Sequence, residues 1–126
     1  MTNKELVSCA LKVMKNAYAP YSRFKVGAAL VTKTGKVFTG CNIENASYGL
    51  TVCAERVALF KAISEGEREF RMMAIVTNGP KIAMPCGACL QVIAELAPHL
   101  ILLLSNQKGA VIKYKLSDLL TKPFHL

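Results

Sequence analysis

Cys53-Ala54-Glu55 and, thirty residues later, Pro85-Cys86-Gly87-Ala88-Cys89 are the two short stretches that decide how this chain folds. Each stands at the start of an apolar run with helical spacing, so we expect Cys53 to open one helix and Cys86 and Cys89 to open another. Residues three apart at a helix start lie on one face, so both sulfurs of the second stretch can reach one ion. If the two helix starts meet, three thiolates form three corners of a tetrahedron. The pattern therefore predicts a metal site where two helices begin.

The rest of the chain alternates between helical and extended patterns. We predict helices over residues 2–18, 53–65, 86–97 and 117–120, and strands over residues 26–31, 37–41, 70–77, 100–104 and 111–115. Gly35 supplies the positive φ of a hairpin turn between the first two strands. The short turn at 106–109 favours an antiparallel last pair, because a parallel crossover needs about a dozen residues or more. The sequence predicts one α/β domain over residues 1–126, a three-layer α/β/α sandwich with a five-stranded mixed sheet.

Composition limits the classes of protein to consider. The 126 residues are 52% hydrophobic, which suits one continuous core. No apolar stretch is long enough for a membrane span, and the first residues lack the layout of a secretory signal, so we expect a cytoplasmic protein. The formal net charge is +8, but the sixteen Lys and Arg are spread along the chain. A dispersed basic surface is not by itself a nucleic-acid site.

The cysteines and one carboxylate carry the chemistry. The cysteine count is odd, and a C-x-x-C in a chain without an export signal indicates metal or redox chemistry. Three protein ligands leave a fourth position for water, which distinguishes a catalytic zinc from a structural one. Glu55 stands two residues after Cys53 and is the natural general acid/base: it can take a proton from water, give it to a ring nitrogen and protonate a departing amine. The positive helix N-termini and Arg56 can offset the charge of three thiolates.

The sequence closely resembles the small homotetrameric, zinc-dependent cytidine deaminases. The similarity runs through nearly the whole chain, in Tyr18-Ala19-Pro20-Tyr21-Ser22, Phe24-Lys25-Val26-Gly27-Ala28-Ala29, Gly40-Cys41-Asn42-Ile43-Glu44-Asn45-Ala46, Cys53-Ala54-Glu55-Arg56, Pro85-Cys86-Gly87-Ala88-Cys89, Leu119-Leu120 and Pro123-Phe124. The resemblance implies one Zn²⁺ per subunit. It also implies hydrolysis of free cytidine and deoxycytidine to uridine, deoxyuridine and ammonia, a reaction of pyrimidine salvage.

The resemblance assigns roles that spacing alone does not. Asn42 and Glu44 match the family residues that hydrogen-bond the ribose hydroxyls. Phe24 matches an aromatic residue that packs against the pyrimidine. The backbone of Ala54 and the carboxylate of Glu55 match the groups that read the edge of the base. Without the family, Phe24 would be assigned to the core and the two polar residues to a loop.

The family also implies that the site is shared between subunits. Residues matching Ala46, Tyr48 and Phe124 enter a neighbouring subunit's site, so the active site would be complete only in the homotetramer. One position departs from the pattern: the family usually has Arg directly after the last cysteine, and this chain has Leu90. Arg56 would then offset the thiolate charge alone.

Two non-hydrolytic interpretations of the cysteines remain. A structural zinc module needs a fourth ligand, for which the candidates are Cys9, Cys41, His99 and His125. A thioredoxin-like role requires metal-free, reversible oxidation of Cys86 and Cys89. Both explain the C-x-x-C, and Glu55 would then be a favourable charge in the first turn of its helix.

Two other deaminase substrates also remain. A blasticidin-type deaminase would share the zinc core, although the stretch Asn42-Ile43-Glu44-Asn45 favours ribose by its resemblance to the family. A polynucleotide deaminase needs a groove for flanking nucleotides and often stacking aromatics. This chain has no Trp and few spare aromatic residues. A free nucleoside is therefore the expected partner, with neither nucleic acid nor membrane.

Overall fold

A mixed sheet forms the middle layer of the structure, a computed structural model that describes residues 1–126. Its strands are β1 (Val26–Thr32), β2 (Val37–Cys41), β3 (Phe70–Thr77), β4 (Ile101–Asn106) and β5 (Val111–Lys115). They lie in the order β2-β1-β3-β4-β5, and only β3 and β4 run parallel. The predicted five-stranded mixed sheet with an antiparallel last pair is confirmed. The turn before β2 contains Gly35 at φ 95°, as predicted.

Helices cover both faces of this sheet. They are α1 (Asn3–Met14), α2 (Ala54–Ser64), α3 (Gly87–Leu96) and α4 (Leu116–Leu119), with a 3₁₀ turn at Tyr48–Leu50. One core cluster joins α1 to the sheet and a second, larger one joins α2, α3 and α4 to the opposite face. The inner strands are therefore buried on both sides, which confirms the three-layer architecture. None of these helices combines the length and apolarity that a membrane crossing demands.

Two predicted helix boundaries were wrong, each because the chain makes a contact that local pattern does not reveal. The first helix begins after the cap Thr2 but ends at Met14, because the Tyr18 N–H donates to the carbonyl of Asn42 at 3.0 Å. Cys53 and Cys86, which were predicted to open α2 and α3, are the N-cap residues of these helices. The last helix is capped by the Asp118 carboxylate, which accepts the N–H of Lys115 at 2.9 Å, and not by Ser117.

Two glycines let helices lie directly on the sheet. A Cβ on Gly27 would come within 2.0 Å of the Ala10 carbonyl oxygen in α1. A Cβ on Gly40 would come within 2.6 Å of the Ala58 nitrogen and 2.7 Å of the Ala54 carbonyl oxygen in α2. The close approach at Gly40 matters for function, because it fixes the start of α2 against the end of β2.

We expect Gly27→Ala to destabilise the fold by at least about 3 kcal/mol, the upper part of the range for overpacked cores, since its Cβ meets backbone that cannot move aside. Chemical denaturation of the variant measures this loss. Gly49→Ala is the control, because a Cβ there meets nothing within 4 Å. Equal stability of the two variants would show that α1 does not pack on β1 as closely as described.

Candidate active site

Three cysteine sulfurs meet where α2 and α3 begin. Cys53 caps α2, Cys86 caps α3, and Cys89 lies in the first turn of α3. Their sulfurs all lie within 4.8 Å of one another, and those of Cys53 and Cys86 are 3.8 Å apart. A tetrahedron with Zn–S bonds of about 2.3 Å has an edge of about 3.8 Å, so this donor set fits zinc. The predicted cluster is therefore present.

The fourth ligand of a structural zinc is missing from this cluster. The group of possible metal ligands contains only the three cysteines, and no His, Asp or Glu joins it. Cys9, Cys41, His99 and His125 all lie outside it. All five cysteines are free of disulfide bonds. Three thiols without a fourth protein ligand match an open site better than a closed structural one.

Hydrogen bonds and one guanidinium favour the thiolate form of Cys53. The Cys89 thiol, followed by Arg56, lowers the pKa of Cys53 to about 5. Arg56 Nη2 lies 3.5 Å from the Cys53 sulfur, and its Nε is buried without a hydrogen-bond partner. The bond to the Cys53 thiolate, together with burial, raises the pKa of Cys89. Leu90, at the position where the family usually has Arg, packs in the core, so Arg56 is the cation that contacts the sulfurs.

Glu55 is a buried carboxyl beside this cluster. It lies in the first turn of α2 and is 5% exposed. Burial raises its pKa to about 7, and the neighbouring Cys53 thiolate adds to the increase. A carboxyl with a pKa near neutrality can both accept and return a proton at physiological pH. The side chain thus has the properties that its predicted role requires.

A cavity of about 230 Å³ joins Glu55 to the cysteines. Cys53 and Cys86 line one end of it, and Cys89 lies buried behind them. The predicted residues Phe24, Asn42, Glu44 and Ala54 line it as well. The volume is below the range of about 300–1,000 Å³ typical of drug-sized pockets, which suits a small substrate.

Two polar residues of the lining, Asn42 and Glu44, are held in fixed orientations. Asn42 Oδ1 accepts the N–H of Val26 at 2.9 Å, and its Nδ2 donates to the carbonyl of Phe24 at 2.8 Å. Glu44 accepts two backbone N–H groups, from Tyr21 at 3.0 Å and from Ser22 at 3.2 Å, and the Ser22 hydroxyl as well. The Ser22 hydroxyl lowers the pKa of Glu44. A charged acceptor therefore lines the cavity.

Three predicted residues do not line the cavity of their own chain. Tyr48 is 77% exposed, and its ring packs edge-on against Tyr21 with centroids 6.3 Å apart. Ala46 is exposed on the same loop. Phe124 is 69% exposed, although Gln91 holds its backbone through two hydrogen bonds of 3.0 Å. None of the three residues lines the cavity that contains Glu55.

Sequence reasoning missed several residues that line the cavity. They are Ser22, Val26, Thr51, Ile75, Thr77, Ala83, Met84 and Pro85. Ser22 lies in one of the stretches that resemble the family, but the resemblance assigned it no role. Thr77 ends a buried strand and gave no polar signal. Its hydroxyl is buried and has no hydrogen-bond partner.

We expect Thr77→Val to raise the free energy of unfolding by about 1 kcal/mol, because a buried hydroxyl without a partner costs about 1–3 kcal/mol. Thr32→Val is the matched control: that hydroxyl is equally buried but lies 3.0 Å from the Lys36 N–H, which it accepts. The control should lower the free energy of unfolding. Urea denaturation compares them, and equal losses would mean that the Thr77 hydroxyl does have a partner.

Comparison with known proteins places these features in a family. Residues 1–104 match the model described as the cytidine and deoxycytidylate deaminase zinc-binding region. A cytidine deaminase from Halalkalibacterium halodurans is 50% identical over 125 residues, which cover 98% of this chain and 95% of that relative. A crystal structure of cytidine deaminase from Burkholderia pseudomallei is 52% identical, with a TM-score of 0.95 over 98% of this chain and all of that one.

A more distant relative bears on the choice of substrate. A blasticidin-S deaminase from Bacillus cereus is 30% identical over 124 residues, which cover 92% of this chain and 87% of that relative. Its identity is well below that of the two cytidine deaminases. By sequence identity, this chain is thus more similar to these two cytidine deaminases than to the blasticidin-S deaminase.

Proposed function

The chain belongs to the cytidine and deoxycytidylate deaminase family, and we propose that it hydrolyses free cytidine and deoxycytidine to uridine, deoxyuridine and ammonia. The observation that carries this function is the meeting of three cysteine sulfurs and one buried carboxyl at a single cavity. The enzyme is a zinc-dependent hydrolytic deaminase. Its place is pyrimidine salvage, where a free nucleoside is the substrate.

The metal belongs at the three sulfurs. Cys53, Cys86 and Cys89 would hold one Zn²⁺ per chain, and their spacing fits its tetrahedral geometry. Bound zinc supplies the Lewis acidity that makes water a nucleophile near neutral pH. Arg56 and the two helix N-termini stabilise the negative charge of the thiolates around it.

Glu55 moves the protons. Its carboxylate takes a proton from the attacking water and delivers it to the ring nitrogen next to the carbon that carries the amine. It then carries the second proton of that water to the departing amine, which leaves as ammonia. The pKa of about 7 places both protonation states of Glu55 within reach at neutral pH. Burial protects the carboxyl from bulk water during this exchange.

The rest of the cavity holds the nucleoside. We assign Phe24 to the face of the pyrimidine, the Ala54 backbone to the edge of the base, and Asn42 and Glu44 to the ribose hydroxyls. The lining of one continuous cavity by all four supports this assignment. Glu44 accepts hydrogen bonds from Tyr21 and Ser22, which fix its carboxylate in the lining.

We further propose a homotetramer in the cytoplasm, in which each 126-residue chain forms one domain. Ala46, Tyr48 and Phe124 would complete the site of a neighbouring subunit. Their exposure supports this, as does a groove next to the loop that carries Ala46 and Tyr48. Its lining is partly apolar (Ile43, Leu50, Val52, Val57, Phe60) and partly polar (Glu44, Asn45, Lys61, Ser64). Interfaces between identical subunits are more apolar than the rest of a protein surface.

Leu90 leads to a prediction about turnover. Arg56 is the one cation at the sulfurs, so we expect water bound at the metal to be less acidic than with a second arginine. Leu90→Arg should therefore shift the acidic limb of the pH–rate profile to lower pH and raise kcat. Stopped assays across pH 5–9 (roughly two units to either side of neutrality) measure the profile. An unchanged profile in a folded Leu90→Arg variant counts against this role for Leu90.

A side-by-side assay tests the substrate. Cytidine, deoxycytidine, blasticidin S and a cytosine-containing single strand are incubated with zinc-loaded protein, and the loss of cytosine absorbance is followed. We expect the two nucleosides to react fastest. Faster reaction of blasticidin S or of the single strand would overturn the proposed substrate while leaving the zinc chemistry in place.

A further inference from the structure

Phe24 reaches the cavity from a short irregular segment between α1 and β1. Arg23, which precedes it, has φ 57° and is the one non-glycine residue of the chain with a positive φ. An L-residue adopts this conformation only when its surroundings hold it there. The direction of the Phe24 ring therefore depends on contacts made by other parts of the chain.

Asn78, which directly follows β3, makes those contacts. Its Nδ2 donates to the carbonyl of Arg23 at 3.0 Å, and its Oδ1 accepts the N–H of Lys25 at 3.1 Å. Its own N–H donates to the carbonyl of Lys25 at 3.0 Å. The three bonds bracket Phe24 on both sides in sequence and reach only backbone atoms. Asn78 itself does not line the cavity.

Asn42 and Gly79 also contact the segment that carries Phe24. Asn42 also holds this segment: its side chain donates to the carbonyl of Phe24 and accepts the N–H of Val26. Gly79 lies against the ring, since a Cβ there would be 3.6 Å from Phe24 Cε1. The ring is thus held between the Asn78–Gly79 turn and the cavity, and an error in the backbone at Arg23 would rotate it out of place.

We propose that Asn78 is a positioning residue for recognition of the base, acting through Phe24. The inference rests on the proposed function, since it takes the pyrimidine as the group that Phe24 contacts. An amide suits the position because it supplies one donor and one acceptor at once. A carboxylate at this position would keep the acceptor for Lys25 and lose the donor for Arg23.

The expected effect is on binding more than on chemistry. Asn78→Ala should raise KM for cytidine roughly tenfold, the scale of one or two lost hydrogen bonds, with kcat changed less than about twofold. Asn78→Asp should give an intermediate KM. The exposed Asn16 provides the matched control, and Asn16→Ala should leave both constants unchanged.

A double-mutant cycle with Phe24→Ala separates positioning from general structural damage. If Asn78 acts through the ring, Asn78→Ala has almost no further effect on KM once Phe24 is Ala. The same tenfold rise in both backgrounds, or a fall in kcat alone, would overturn the proposal. Melting temperature and zinc content are measured for each variant, and the cycle is run with Asn78→Asp if the alanine variant does not fold. No turnover by the wild-type chain would overturn the proposed function and this inference with it.

Discussion

Glu55→Gln is expected to lower kcat about 10²–10⁴-fold, the range for loss of a general acid/base, and at the upper end because Glu55 acts in more than one proton transfer. Fold and zinc content should not change, since glutamine has the same shape and the carboxyl is not among the three metal ligands. Steady-state kinetics on cytidine, metal analysis and the melting temperature measure these three quantities. The exposed Glu95, on α3, gives the control Glu95→Gln.

High residual activity of Glu55→Gln would contradict the role of Glu55. Turnover within about tenfold of wild type in a zinc-loaded Glu55→Gln variant is less than one general acid/base contributes, and would remove Glu55 from the mechanism. The proton would then have to pass through another group in the cavity. The one other carboxyl that lines the cavity is that of Glu44, which is partly exposed and accepts hydrogen bonds from Tyr21 and Ser22.

Cys86→Ser is expected to abolish zinc retention and, with it, measurable deamination. A hydroxyl is a poor ligand for Zn²⁺ compared with a thiolate, and two remaining sulfurs do not make a stable catalytic site. Serine should still cap α3, because the present cap is the Cys86 sulfur accepting the Cys89 N–H at 3.4 Å. We expect zinc per chain to fall to near zero after dialysis, with a smaller change in far-ultraviolet circular dichroism.

Cys41→Ser is the control for this experiment. Cys41 lies in β2 outside the cluster of sulfurs, and burial raises its pKa, so it is a poor ligand. Zinc content equal to wild type is expected. Loss of zinc in the Cys41 variant would contradict the three-ligand site and support a closed structural one.

The parts of the fold that the sequence predicted are those with local causes. The apolar runs and the glycines after Thr34 and Glu65 placed most strands and helices within a few residues, and φ is 95° at both Gly35 and Gly66. The metal cluster was also predictable, because Cys53 and the C-x-x-C each stand at a helix start.

The parts that could not be predicted depend on partners far along the chain. The first helix stops at Met14 because the chain must reach Asn42, and nothing before residue 18 records that contact. In the sequence, Asn78 has the pattern of an ordinary turn residue. Its contacts with Arg23 and Lys25 are visible only in the structure. The family resemblance supplied roles for Phe24, Asn42 and Glu44 that spacing alone did not.

The most direct test of the zinc site is a metal add-back titration. Zinc is removed with a chelator, then returned in known amounts while cytidine absorbance and bound metal are measured on the same sample. One Zn²⁺ per chain, with turnover rising in proportion to the zinc bound and absent without it, is the predicted result. Undiminished deamination by metal-free protein, or a zinc found with four protein ligands, would contradict it.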